Sequence, residues 1–157
     1  VTVAESTIEK LVSAGLEAHE KRDLRKAQKL FEKASSLCNR ERKHPQPCAE
    51  LSLESQFHLG QIHEAADRPA EAVSAFQKVV QAGTAGKSGA GRRSEAQAAV
   101  ARLLPSLGQV VIPKREGSRC QEVTLYMLPG NHLIEVEGAR QTVKVRAGET
   151  ARLGRCE

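Results

Sequence analysis

The chain has 157 residues, enough for one ordinary domain or two small ones. Its composition, 39% hydrophobic and 27% charged, excludes a disordered tract, and no apolar run approaches the roughly 20 residues that span a bilayer as a helix. The net charge is +5, but Lys and Arg are interleaved with Glu, which reads as a solvated mixed surface rather than a polyanion-binding tract.

Ser6 and Glu9 fit a capping box and predict a helix starting near residue 6. Ile8, Leu11, Val12, Gly15 and Leu16 recur on one face through about Glu20. Asp23 is a favourable cap for a second helix carrying Leu24, Ala27, Leu30, Phe31, Ala34 and Leu37. Residues 39–47, polar, basic and holding Pro45 and Pro47, break the pattern. A third helix, from about Cys48 to Ala66, carries Leu51, Leu53, Phe57, Leu59, Gly60 and Ile62. Asp67 and Pro69 start a fourth, with Ala72, Val73, Phe76, Val79 and Val80, to about Gln81.

These four helices are two copies of one hairpin at an offset of 45 residues. Gly15 stands to Ala27, Phe31 and Ala34 as Gly60 stands to Ala72, Phe76 and Val79. Gly and Ala are small where antiparallel helices approach closely, and Phe fills the space they leave. The pattern, with Ala14-Gly15 and Leu59-Gly60 as its apolar-plus-glycine pairs, resembles the tetratricopeptide repeat over about residues 8–82, as repeats 8–38 and 49–82. It departs from that family in an insertion between the copies and in the missing bulky aromatic at Leu11 and Gln56.

The resemblance implies a stacked helical scaffold that holds a protein or peptide rather than converting a substrate. In the family a concave groove is lined by exposed positions of each first helix. Carried over by register, these are Glu9, Val12, Leu16, His19 and Glu20, then Glu54, Phe57, Gln61, Glu64 and Ala65. Val12, Leu16 and Phe57 have core placement as an equal alternative. An extended or helical peptide would be the guest.

Residues 83–93 read as a Gly-rich linker, and Gly86-Lys87-Ser88 lacks the glycine spacing and preceding strand of a phosphate-binding loop. Ser94 and Gln97 open a capping helix over about 94–104, ended by Pro105. From Gly108 the apolar period changes from 3.6 to 2. Short strands follow at 110–112, 123–127, 133–137 and 142–147. A turn at Gly138-Ala139-Arg140 precedes the last of these, and a hairpin at Gly148-Glu149 leads into 150–153. The expected class is α + β in two regions: helical repeats over residues 1–107, then a small antiparallel β-sandwich or sheet over 108–157.

Leu128-Pro129-Gly130-Asn131-His132, the Val-rich strands after it, and Arg146-Ala147-Gly148-Glu149-Thr150 resemble the PEGA domain. The name motif of that family survives only in broken form as Pro113, Glu116 and Gly117. The resemblance implies a small β-sandwich of envelope and extracellular proteins.

Four cysteines fall as one pair in each region, so Cys38 with Cys48 and Cys120 with Cys156 are the expected disulfides of an oxidising compartment. Ordinary buried thiols are the alternative. Cys38, His44 and Cys48 offer three zinc ligands and no fourth, and His58 and His63 lie on different helix faces. No nucleophile motif, metal motif or cofactor motif is present, so neither catalysis nor a cofactor is expected. The expected role is a scaffold in a multiprotein assembly of a bacterial envelope, periplasmic or extracellular, as a piece of a larger protein. The competing reading is a nucleic-acid-binding module using Arg40, Arg42, Lys43, His44, Arg92 and Arg93, which lacks aromatic stacking platforms.

Overall fold

A computed structural model of the chain describes residues 3–40, 45–82 and 89–157. The insertion residues Arg42, Lys43 and His44, and Gly86-Lys87-Ser88, lie outside the described residues. Five helices precede five strands, and the chain divides into two compact units, Val1–Val100 and Ala101–Glu157. That division falls ahead of the change of period at Gly108.

The helical unit holds α1 (Val3–Glu20), α2 (Leu24–Arg40), α3 (Pro45–Ala65), α4 (Pro69–Gln81) and the start of α5 (Gly89–Leu103). α1 packs on α2, α3 on α4, and α2 on α3, with α1 also touching α3. Gly15 and Gly60 sit at the two hairpin crossings. A Cβ on Gly15 would lie 2.8 Å from Phe31 Cε1, and one on Gly60 would lie 2.6 Å from Phe76 Cε1. No real Cβ tolerates that approach, so glycine is what lets each Phe ring, at most 2% exposed, lie against the facing helix.

The turns repeat bond for bond. Arg22 N–H donates to His19 O and Asp23 N–H to Ala18 O. At the same offset Asp67 N–H donates to Glu64 O and Arg68 N–H to His63 O. Arg22 (φ 59°) and Asp67 (φ 55°) take the left-handed conformation this helix ending requires, without glycine. The next helices start differently. Asp23 Oδ1 accepts from Lys26 N–H at 3.2 Å, a side-chain cap. α4 has no side-chain cap and relies on Pro69 in its first turn.

Three helix starts differ from expectation. α3 begins at Pro45 rather than about Cys48, so Pro45 and Pro47 lie in its first turn and not in the break. α1 begins at Val3, so Ser6 lies inside its first turns. α5 begins at Gly89, so residues 89–93 are helix rather than linker and the Ser94 box is passed over. A tertiary anchor at Arg92, described below, offsets the roughly 1 kcal/mol that each helical glycine costs.

The β unit is a sandwich of a three-stranded sheet, order β2-β1-β5, and a two-stranded sheet, β3-β4. Its strands are β1 (Gly108–Glu116), β2 (Arg119–Met127), β3 (Gly130–Val136), β4 (Ala139–Val145) and β5 (Thr150–Arg152). Val110, Ile134, Val136, Val143 and Val145 face inward from both sheets, with Ile112, Leu125, Met127, Ala151 and Leu153 around them. β1 is far longer than the three residues expected, and it forms a two-residue hairpin with β2 through Gly117 (φ +63°) and Ser118. The broken Pro-Glu-Gly motif therefore lies along β1 and into that turn. The β3–β4 turn is Glu137-Gly138, one residue earlier than expected, with both φ angles positive.

The expected hairpin into residues 150–153 does not form. β5 pairs with β1, in parallel. Gly148 N–H donates to Leu107 O and Gln109 N–H to Glu149 O, which carries the chain across to the other sheet. Leu153 N–H donates to Val111 O, so odd-numbered residues of β1 face β5. Pro113 is the next on that edge, beyond the last paired residue, where its missing N–H breaks no ladder bond.

Both disulfides pair as expected, Cys38–Cys48 with Cα atoms 5.3 Å apart and Cys120–Cys156 at 5.6 Å. They close loops of 10 and 36 residues. Chain entropy alone assigns about 3 and about 4 kcal/mol to such closures. The second joins the start of β2 to the last residues of the chain, clasping a unit too small to build a large core.

A polar cluster on the first helices

The candidate residues on α1 and α3 separate into three groups. Glu9, Glu20 and Ala65 are exposed. Val12 (5% exposed) and Phe57 (2%) are core, and Leu16 packs against that core half-buried. For Val12 and Phe57 the reason is helix crossing: α1 lies against α2 and α3, and Phe57 sits edge-on to Phe76 with ring centres 5.8 Å apart. His19, Glu54, Gln61 and Glu64 are half-buried.

Three of these, His19, Glu54 and Gln61, converge on His58, which is 7% exposed. His58 Nε2 lies 3.0 Å from Glu54 Oε1, and its Nδ1 lies 3.0 Å from Gln61 Oε1. A carboxylate only accepts, so Nε2 carries a proton and donates to Glu54. The His58 ring stacks on Phe31 at 5.3 Å and meets the His19 ring at 5.5 Å. The helical spacing makes this possible, because residues 54, 58 and 61 share one face of α3.

Arg92, on α5, closes the cluster. Its Nη2 donates to Glu54 Oε1 at 2.9 Å and its Nε to Oε2 at 3.3 Å, a two-pronged grip on the carboxylate. Its guanidinium also stands 4.4 Å above the Phe57 ring. Arg92 thus fixes α5 to α3 and hides Phe57 from water.

The hydrogen bond from His58, helped by Arg92 and opposed by burial, holds the Glu54 carboxyl at about 2. Glu54 is therefore a carboxylate across the ordinary pH range. Burial, and then the neighbouring His58, lower His19. His63 is on the far side of α3, lining a cleft with Glu32 and Glu71, and burial lowers it too.

His58 and Arg92 are the members that sequence reasoning missed. The Glu54/His58/Gln61 spacing was readable as a helical hydrogen-bond ladder. Arg92 was read only as a basic linker residue of the nucleic-acid alternative, because its segment reads as a glycine linker. Chemically the cluster is a closed set of paired charges and stacked rings: it orders the α1/α3/α5 packing, while Glu9, Glu20 and Ala65 stay exposed outside it. Among the described residues, no group of three or more His, Cys, Asp or Glu side chains could hold a metal. Compared with family models, curated proteins and solved structures, the chain gives no significant match.

Proposed function

We propose that this chain is a non-catalytic protein-interaction scaffold, with a tetratricopeptide-type repeat pair that grips a peptide or protein and a PEGA-like β unit, working in an oxidising compartment such as a bacterial periplasm. The observation that carries the reading is the duplicated hairpin, with the same glycine–phenylalanine contact and the same left-handed turn at an offset of 45 residues. Stacked helix pairs present one face of their first helices as a continuous surface. Here those helices are acidic: α1 carries four Glu and one Lys, and α3 carries three Glu and neither Lys nor Arg. The fitting guest is a basic peptide. The two disulfides support the compartment.

The test is titration of the intact protein with basic and acidic peptides, extended and helix-forming. Saturable binding of a basic peptide, weakened by Glu20→Lys and by Glu64→Lys with an unchanged circular dichroism spectrum, is the expected result. Binding indifferent to both reversals moves the contact off α1 and α3 and overturns the reading. Phe57→Ala is no test of contact, because its ring is in the core.

A further inference from the structure

The basic residues of α2 form the largest charged feature that neither the fold nor the peptide reading uses. Arg25, Lys26, Lys29, Lys33 and Arg40 are all exposed. At 3.6 residues per turn they fall within about 100° of the helix circumference and run about 22 Å along it. The core residues of α2, Ala27, Phe31, Ala34 and Cys38, occupy the opposite side. Glu32 is the one acidic residue of the helix, and it accepts a hydrogen bond from Gln28.

What sets this stripe apart is alignment together with the lack of carboxylate partners. Lys21, Arg92, Lys114, Arg115, Arg140, Arg146 and Arg152 each bond a carboxylate. None of the ion pairs among the described residues uses Arg25, Lys29, Lys33 or Arg40. Those seven cations are neutralised in place; Lys10, Arg22, Lys78, Arg119, Lys144 and Arg155 are exposed on other elements or turns, but on α2 the exposed cations share one row. The Cys38–Cys48 bond fixes the end of that row to the start of α3.

We propose that the α2 stripe docks this protein onto an anionic phospholipid surface. A rigid row of cations, one helical turn apart from Arg25 to Lys33 and two turns from there to Arg40, fits a flat field of phosphates. The apolar side of α2 is committed to the core, so nothing inserts, and the attachment is electrostatic, reversible and weakened by salt. Single-stranded nucleic acid fits less well, because Phe31, Phe57 and Phe76 are all buried and leave the unit no stacking platform. The choice of lipid over nucleic acid also rests on the oxidising compartment proposed above, and not on the peptide face.

The test is co-sedimentation of the intact protein with phosphatidylcholine vesicles, with and without phosphatidylglycerol. Binding is expected only with the anionic lipid and is expected to fall as salt rises. Lys29→Glu with Lys33→Glu lowers the partition coefficient on the order of 20-fold or more, at about 5-fold for each cation lost. Lys144→Glu on β4 lowers it far less, and thermal melts of all variants match the parent. Equal binding to neutral vesicles, or indifference to the α2 reversals, overturns the proposal. So does tighter binding to DNA than to the vesicles at equal salt. Self-association removed by the same reversals, without vesicle binding, gives the stripe instead to the acidic α1 and α3 of a second copy. The vesicle and DNA outcomes leave the peptide titration on α1 and α3 unchanged, whereas self-association through those helices would compete with the peptide and also overturns the lipid proposal.

Discussion

The two helical hairpins share a backbone plan and differ in what they bury. In the first, Gly15 receives Phe31, Asp23 caps α2, and a disulfide closes the exit. In the second, Gly60 receives Phe76, α4 starts without a side-chain cap, and α3 carries a buried histidine held by Glu54 and Gln61. At the position of His58 the first copy has Ser13, which is exposed. Packing geometry has been duplicated while the buried histidine and its carboxylate partner occur in one copy only, where α5 brings the arginine that balances them. The duplicated part is the scaffold, and the differences mark where each copy meets its neighbours.

The comparison breaks most severely at the phenylalanines. Phe31→Ala and Phe76→Ala each cost about 3–5 kcal/mol, from lost burial plus the cavity left behind. Each also removes an aromatic contact, the stack of His58 on Phe31 and the edge-on contact of Phe57 with Phe76. Urea unfolding measures both. Cutting the tie between the two hairpins comes next: Cys38→Ser with Cys48→Ser, which frees the end of α2 from the start of α3, costs about 3 kcal/mol by the same measurement.

Gly60→Ala and Gly15→Ala push a methyl group into a ring edge, each costing about 1–2 kcal/mol after the gain in helix propensity. The closer approach at Gly60, 2.6 Å against 2.8 Å, makes it the worse of the two. Adding Phe76→Leu to Gly60→Ala recovers part of the loss if ring and glycine are a matched pair. A double-mutant cycle reads that coupling.

Smaller effects separate the copies by chemistry. Asp23→Ala costs about 1 kcal/mol, and Arg68→Ala at the matching site of the second hairpin costs nothing through capping. Glu54 has a folded pKa of about 2, below its ordinary 4.5. The stability it contributes is present above about pH 4.5 and is lost as pH falls toward 2. Thermal melts of the parent therefore fall more steeply across that window than those of Glu54→Gln.

Local regularities made much of this legible in advance. The apolar spacings located α1 to α4, the Gly/Phe recurrence named the crossings, the change of period located the β unit, and the cysteine spacing gave the pairing. The candidate face was legible only in part. Val12 and Phe57 share the spacing of exposed neighbours, and only helix crossing decides which way such a position turns. His58 was visible as a residue but not as a hub, because its partners come from α1 and α2 as well as from its own helix.

The sequence by itself determined where α1 to α4 and the β unit lie and which small residues face which rings, because each depends on apolar period and on contacts within one hairpin; the cysteine pairing followed from one pair falling in each region. The tertiary structure alone decided that β5 joins β1 in parallel, that α5 starts inside a glycine-rich stretch, and that Arg92 reaches Glu54 and Phe57. Those outcomes depend on which surfaces distant segments offer one another, and neither propensity nor period carries that information.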